Sequence, residues 1–162
     1  GVNGLGKTTL LKTILGLLKP VSGELVKGDF LEVGYFAQED APSNSETALD
    51  YIWNEYPAMT NAEVRAALAR CGLSNEHITS QMRVLSGGEN AKVRLCKLMQ
   101  KKYNVLVLDE PTNHLDIHAK DELARALRDF KGTIVLVSHE PEFYESWVTD
   151  IWNIEDWTTK IV

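Results

Sequence analysis

Positive charge is scarce in this sequence: 17 Lys and Arg stand against 23 Asp and Glu, a formal net charge of −6 over 162 residues. Phosphate-rich partners select clustered Lys and Arg, so this segment is not expected to wrap nucleic acid by itself, and no direct DNA binding is expected. Cysteine is nearly absent. Cys71 and Cys96 are the only two, and their spacing matches neither a metal site nor a redox motif. Two reduced thiols in a cytoplasmic protein are the expectation. Long apolar runs are missing as well, none approaching the ~18 residues of a membrane span. No basic-then-apolar leader and no initiator Met open the chain, so no export signal is read and a piece of a longer protein is expected. What remains, 44% hydrophobic and 25% charged, is an ordinary globular composition with length enough for one domain and a sizeable core.

The first stretch, "GVNGLGKTTL", is a glycine-rich turn running into a helix. Leu10, Leu11, Ile14, Leu15 and Leu18 recur at helical spacing, with Pro20 just past their end. "GELVKGDFLEVGYFAQ" (23–38) reads as two short strands around Gly28-Asp29. A helical stretch follows over roughly 42–102. Ser43-x-x-Glu46, Thr60-x-x-Glu63 and Ser86-x-x-Glu89 each have the form of a capping box, and Gly72 suits a helix C-cap. "NVLVLDE" (104–110) and "TIVLVSH" (133–139) are short apolar runs of the kind found in buried parallel strands. Leu123, Leu127 and Phe130 mark the apolar side of a helix between them, and "DIWNIEDWTTKIV" suggests a terminal hairpin. Loop–helix, helical insert and strand–helix–strand together imply an α/β nucleotide-binding core.

Three stretches carry chemistry. Gly1-x-x-x-x-Gly6-Lys7-Thr8 fits the phosphate-loop pattern, which arises by chance about once per few hundred chains of this length. Its glycines let backbone N–H groups converge on phosphate oxygens at a helix N-terminus; Lys7 would neutralise the β- and γ-phosphates and Thr8 would ligate Mg²⁺. Leu106-Val107-Leu108-Asp109-Glu110 would deliver Asp109 to the metal shell and Glu110 to the attacking water. Two acids at a strand end are otherwise often a solvated edge. "LSGGENAKVRL" (85–95) starts a helix with Ser86, Gly87 and Gly88, whose free amides would make a second anion site. One triphosphate scarcely needs both sites from one subunit; two subunits placed head to tail would use both.

"LSGGE" between a phosphate loop and "LDEPTNHLD" resembles the ATP-binding-cassette ATPases, in the same order and over essentially the whole chain. The resemblance implies an α/β P-loop NTPase fold with a mostly parallel sheet core, a small antiparallel β element and a helical lobe. The whole of 1–162 would be a single cassette, with the lobe at about 42–102 and a RecA-like remainder. Gln38 resembles the family's Q-loop glutamine, also a metal contact, His139 its switch histidine, and Asp116 its D-loop aspartate. Gly1, Asn3, Gly4, Leu5, Gly6, Lys7, Thr8 and Thr9 would hold ATP, with Thr8, Gln38 and Asp109 around Mg²⁺. Ser86, Gly87 and Gly88 would cap a partner cassette's nucleotide. Asn90 departs from the glutamine common after "LSGGE", and Val2 and Leu5 from smaller or more polar residues. "EPTNHLD", "YFAQE" and the tail resemble the F subfamily, twin-cassette proteins acting at the ribosome.

That resemblance implies an ATPase with Glu110 and His139 as catalytic residues, active only against a second cassette of the same full-length chain. It also implies ribosome and rRNA contacts through segments outside this sequence, and regulation of translation. A strand ahead of Gly1 and an upstream aromatic for adenine belong to the same expectation, so the isolated chain is expected to bind ATP poorly. Two other classes stand beside it. One is the energising subunit of a membrane transporter; the other is a binding module whose nucleotide only supports structure, which would need a defective Glu110 or His139.

Overall fold

Among the described residues, three short strands form a sheet, β1 (Val33–Phe36), β2 (Val105–Asp109) and β3 (Thr133–Val137), in the order β1-β2-β3. The computed structural model describes residues 6–37 and 45–153. Both pairs are parallel: Tyr35 lies opposite Val107, and Val107 opposite Val135. Parallel pairing requires crossovers, and helices supply them. Between β1 and β2 run α2 (Ala48–Trp53), α3 (Asn61–Arg70), α4 (Asn75–Thr79), a 3₁₀ turn (Met82–Val84) and α5 (Gly87–Met99). Between β2 and β3 runs α6 (Ile117–Asp129). A helix α1 (Lys7–Ile14) precedes the sheet and a short α7 (Pro141–Tyr144) follows it.

The central strand is buried from Leu106 to Asp109, which is why its sequence is a continuous apolar run rather than an alternation. β3 is only half-buried, contrary to the expectation from "TIVLVSH". It is an edge among the described residues, and a cleft of about 650 Å³ lined by Ile134, Leu136, Tyr144 and Trp147 runs along it.

Two cores divide the apolar side chains. One is wholly helical and gathers Ile52, Val64, Leu68, Ile78, Met82, Val93 and Cys96. The other joins the sheet to α6 and α7 through Phe36, Leu108, Leu115, Leu123, Leu127 and Phe143. Helix α5 is the wall between them: Val93 and Cys96 face the first, Ala91, Leu95 and Leu98 the second. Each fully buried Leu or Ile contributes about 1.5–3 kcal/mol relative to an exposed one.

Capping boxes form at Thr60/Glu63 and Ser86/Glu89, as their spacing predicts. Gly72 follows the C-cap of α3 with φ +79°. Ser43 lies outside the described residues, and α2 is capped instead by Thr47, whose Oγ1 accepts from the Asp50 N–H at 3.1 Å.

The structure corrects two expectations near the start. Helix α1 stops at Ile14, short of Leu18, because Gly16 turns left-handed (φ +77°) and the Leu17 N–H folds back on the Lys12 carbonyl at 2.8 Å. Leu17 is left 62% exposed. Residues 23–28 form no strand; they find no described partner, and Lys27 Nζ bonds the Leu15 carbonyl at 2.7 Å instead. Among the described residues, the antiparallel pairing is the isolated bridge Thr47–Gln81. The expected terminal hairpin falls mostly on residues 154–162, outside the described residues; 150–153 are not in a strand.

Candidate nucleotide site

The site is assembled where β2 and β3 end and α1 begins. Gly6, the N-cap of α1, has φ +82° and its carbonyl accepts the first helical bond, from Leu10 N–H at 2.8 Å. That turn places Lys7 and Thr8 on the first turn of a helix that lies against β2. The Thr8 hydroxyl donates to Asp109 Oδ2 at 2.7 Å. Asp109 closes β2 and is fully buried, with Oδ1 lacking a hydrogen-bond partner. Burial pushes its carboxyl above the usual aspartate range, and the Thr8 hydroxyl only partly offsets that. A buried carboxylate with one orphaned oxygen is costly unless a cation completes it. A hydroxyl and a carboxylate are hard oxygen donors of the type Mg²⁺ takes, so the residues present fit that ion.

Glu110 is the next residue and has φ +50°, a left-handed conformation uncommon outside glycine that turns its carboxylate back toward α1. Its side chain is 5% exposed and stands between Lys7 and His139. Oε1 is 3.5 Å from Lys7 Nζ, and Oε2 is 2.7 Å from His139 Nδ1. His139 follows β3 by two residues, so the parallel pairing of β2 and β3 brings it beside Glu110; the Glu110 N–H itself bonds the Val137 carbonyl at 2.9 Å. The site thus holds two adjacent sets, the hydrogen-bonded pair Thr8–Asp109 and the Lys7–Glu110–His139 contact, joined by the chain at Asp109-Glu110.

The remaining expected residues that are described make no hydrogen bond to it. Thr9 is exposed on α1. Ser86 and Asp116 make their hydrogen bonds within their own helix starts: Ser86 Oγ accepts from the Glu89 N–H at 3.3 Å, and Asp116 Oδ1 from the Ala119 N–H at 2.8 Å. That bond holds the Asp116 carboxyl below its usual range. Gly87 and Gly88 open α5 against His114. Gly1, Asn3, Gly4, Leu5 and Gln38 lie outside the described residues.

Several neighbours of the site escape a reading of the sequence. His114 is left-handed (φ +66°) and packs on Gly87 and Gly88, joining "LSGGE" to "PTNHLD". Arg94 of α5 stacks over the Phe36 ring and donates to the Ala37 carbonyl, at the edge of the expected Q-loop. Asn90, the departure after "LSGGE", is buried and ties α5 to the 3₁₀ turn through the Met82 carbonyl at 3.2 Å. Lys120 of α6 meets Glu140 at 2.5 Å. Most of these pairs span long stretches of sequence; the adjacent asparagine and histidine at 113–114, types that tolerate a positive φ, are the local signal that could have found one of them.

A parallel sheet with a helix-borne Lys-Thr at its carboxyl ends is the architecture of a P-loop nucleotide-binding domain. Comparison with known proteins carries this further. The family described as "ABC transporter" matches residues 1–113, and the chain belongs to that family, whose general activity is ATP hydrolysis. The ABC transporter ATP-binding protein YfmM of Bacillus subtilis is 55% identical over 162 residues, all of this chain and 31% of that protein. Protein GCN20 of Saccharomyces cerevisiae is 36% identical over 99% of this chain and 22% of its own length. ABC transporter F family member 2 of Arabidopsis thaliana is 38% identical over 96% and 24%. The chain therefore spans less than a third of these relatives, which are ABC-F-type proteins.

Among solved structures, the archaeal ribosome recycling factor aABCE1, in complex with the ribosomal stalk protein aP1, superposes with a TM-score of 0.70 at 25% identity. That match covers 91% of this chain and 29% of the other. A dimeric post-hydrolysis ATP-binding cassette with ADP and Pi gives 0.70 at 24% identity, over 88% and 74%, and shows the fold. No helix among the described residues is long and apolar enough to cross a membrane.

Proposed function

We propose that this chain is an ABC-F-type cassette that binds ATP with Mg²⁺ and hydrolyses it in a composite site, using head-to-tail closure on a second cassette to regulate translation on the ribosome. The observation that carries this is the bridging position of Glu110, one oxygen toward Lys7 and the other hydrogen-bonded to His139. Lys7 leaves Glu110 for the β- and γ-phosphates when ATP binds, which frees the carboxylate to accept a proton from the attacking water. His139 keeps its bond to Glu110 and holds that oxygen in place beside the γ-phosphate. Thr8 and Asp109 would hold Mg²⁺, which would supply charge neutralisation at the phosphates. Ser86, Gly87 and Gly88, together with Asp116, face the partner cassette's nucleotide across the dimer. Positioning and charge neutralisation do the catalytic work, and loss of the γ-phosphate removes the contacts that hold the cassettes together.

The ribosome enters through the relatives: the F-family membership of one and the role of aABCE1 in ribosome recycling. The test is Glu110→Gln in the full protein. ATP binding persists, turnover falls by about 10²-fold or more, and the protein co-sediments with ribosomes only when ATP is present. Near-normal turnover overturns the role of Glu110. Lost turnover without ATP-dependent ribosome association overturns the translational role and favours the transporter-subunit reading.

A further inference from the structure

His139 is held less securely than its position suggests. β3 ends at Val137, and the His139 side chain is half exposed, so packing alone does not fix it. Its neighbour Glu140 is the N-cap of α7 (φ −107°, ψ 89°) but its side chain makes no capping bond to that helix. An acid at an N-cap ordinarily turns to the free N–H groups ahead of it. Here the carboxylate is spent elsewhere, on Lys120 Nζ at 2.5 Å. Both side chains are largely shielded, at 29% and 27% exposure. Burial works against the Glu140 carboxylate, yet Lys120 and the groups around it hold its pKa below the usual range.

Lys120 stands one turn inside α6, and its own N–H bonds the Asp116 carbonyl at 3.0 Å. The segment 138–140 is consequently anchored at two points. His139 Nδ1 meets Glu110 at 2.7 Å, and one residue later Glu140 is clamped to α6. The Glu140 N–H to Ser138 Oγ bond, 3.1 Å, closes the turn between them.

We propose that the Lys120–Glu140 ion pair is a positioning device for hydrolysis: it fixes the backbone from which His139 reaches Glu110 and ties that backbone to the helix that starts at Asp116. The inference rests on the roles proposed above for Glu110 and His139. Neither Lys120 nor Glu140 touches the reacting atoms. Without the pair, His139 samples rotamers away from Glu110, so the chemical step slows while nucleotide binding, carried by α1 and its loop, is unchanged. This predicts a loss in kcat and not in KM.

The experiment is steady-state ATPase in the full protein with Lys120→Gln, Glu140→Gln, the charge-swapped double variant Lys120→Glu/Glu140→Lys, and Glu110→Gln as reference. Each single variant is expected to lose about tenfold in kcat with KM for ATP within about twofold and melting temperature near that of the parent. The swapped pair is expected to recover most of the loss, because the interaction energy belongs to the pair. Singles that turn over like the parent overturn the proposal. So does a loss that the swap leaves uncorrected, or one that appears in KM or in the melting temperature of the near-isosteric Glu140→Gln. If Glu110→Gln itself retains turnover, the failure lies in the catalytic assignment; if Glu110→Gln is inactive and the ion-pair variants are normal, it lies here.

Discussion

A methyl group on Gly87 would stand 2.8 Å from the Cβ of His114, and one on Gly88 would stand 2.8 Å from the His114 carbonyl oxygen. The two glycines of "LSGGE" therefore have a packing reason to be glycine inside this chain, apart from any anion they approach. The two contacts differ in kind, one against a side chain and one against backbone. Gly87→Ala and Gly88→Ala should each destabilise by about 1–3 kcal/mol, the usual cost of overpacking. Adding His114→Gly removes the side-chain clash and the left-handed strain at φ +66°. It should rescue Gly87→Ala and leave Gly88→Ala unrescued. Denaturant unfolding of the four variants reads this out, and equal rescue of both would show that the backbone contact is relieved by movement.

Ser86 and Glu89 cap α5 reciprocally, as Thr60 and Glu63 cap α3. Ser86→Ala should cost about 1 kcal/mol. The backbone N–H of Ser86 lowers the Glu89 pKa, and that of Thr60 lowers the Glu63 pKa. A lowered folded pKa stabilises fully above the unfolded value, near pH 4.3 for glutamate, and the gain is lost as pH falls through the folded value. Glutamine keeps a neutral version of the same bond. The melting temperatures of the parent and of Glu63→Gln and Glu89→Gln should thus differ at neutral pH and converge as the solution is acidified below about pH 4. A constant gap down to low pH would remove these carboxylates from the acid response.

Gly34 lies in β1 where α5 crosses the sheet. An added Cβ would come within 2.9 Å of Leu106 Cδ2 and of Tyr103 Cδ2, and 3.0 Å of Leu98 Cδ1. Three side chains of the sheet-side core converge on it, so repacking one does not make room. Gly34→Ala is expected to destabilise by about 1–3 kcal/mol despite the better strand propensity of alanine. Trimming one neighbour, with Leu98→Ala, should recover only part of the loss. Unfolding midpoints measure both, and an unchanged midpoint for Gly34→Ala would mean that α5 shifts freely on the sheet.

These examples show which parts of the molecule were legible in its sequence. Capping boxes at Thr60 and Ser86, and the buried run Leu106–Asp109, are local signals and formed where spacing placed them. The order of motifs named Lys7, Thr8, Asp109, Glu110 and His139, and the parallel register of β2 with β3 is what brings them together. Gly16 outweighed the leucine periodicity that promised a longer α1. The segment 23–28 has strand-like composition, but a strand is defined by its partner, and none is described for it. Arg94 on Ala37, His114 on Gly87 and Lys120 on Glu140 join residues distant in sequence, which no local pattern encodes.

Asp109 concentrates the conflict between stability and function. It is fully buried, its pKa is raised chiefly by that burial, and Oδ1 has no partner. Asp109→Asn keeps the shape and the contact with Thr8 while removing the buried charge. Without nucleotide, the variant is expected to be more stable than the parent by about 1 kcal/mol, in the range that relieving a functional strain typically returns. With Mg²⁺ and ATP the order reverses. The parent gains stability from ligand binding by mass action, and the variant, short of the carboxylate that completes the cation's shell, gains little. Thermal melts of the full protein with and without MgATP, and with ATP in EDTA, separate the two effects. If the variant is less stable in both conditions, Asp109 is structural; if it gains as much as the parent from MgATP, the ion is held elsewhere.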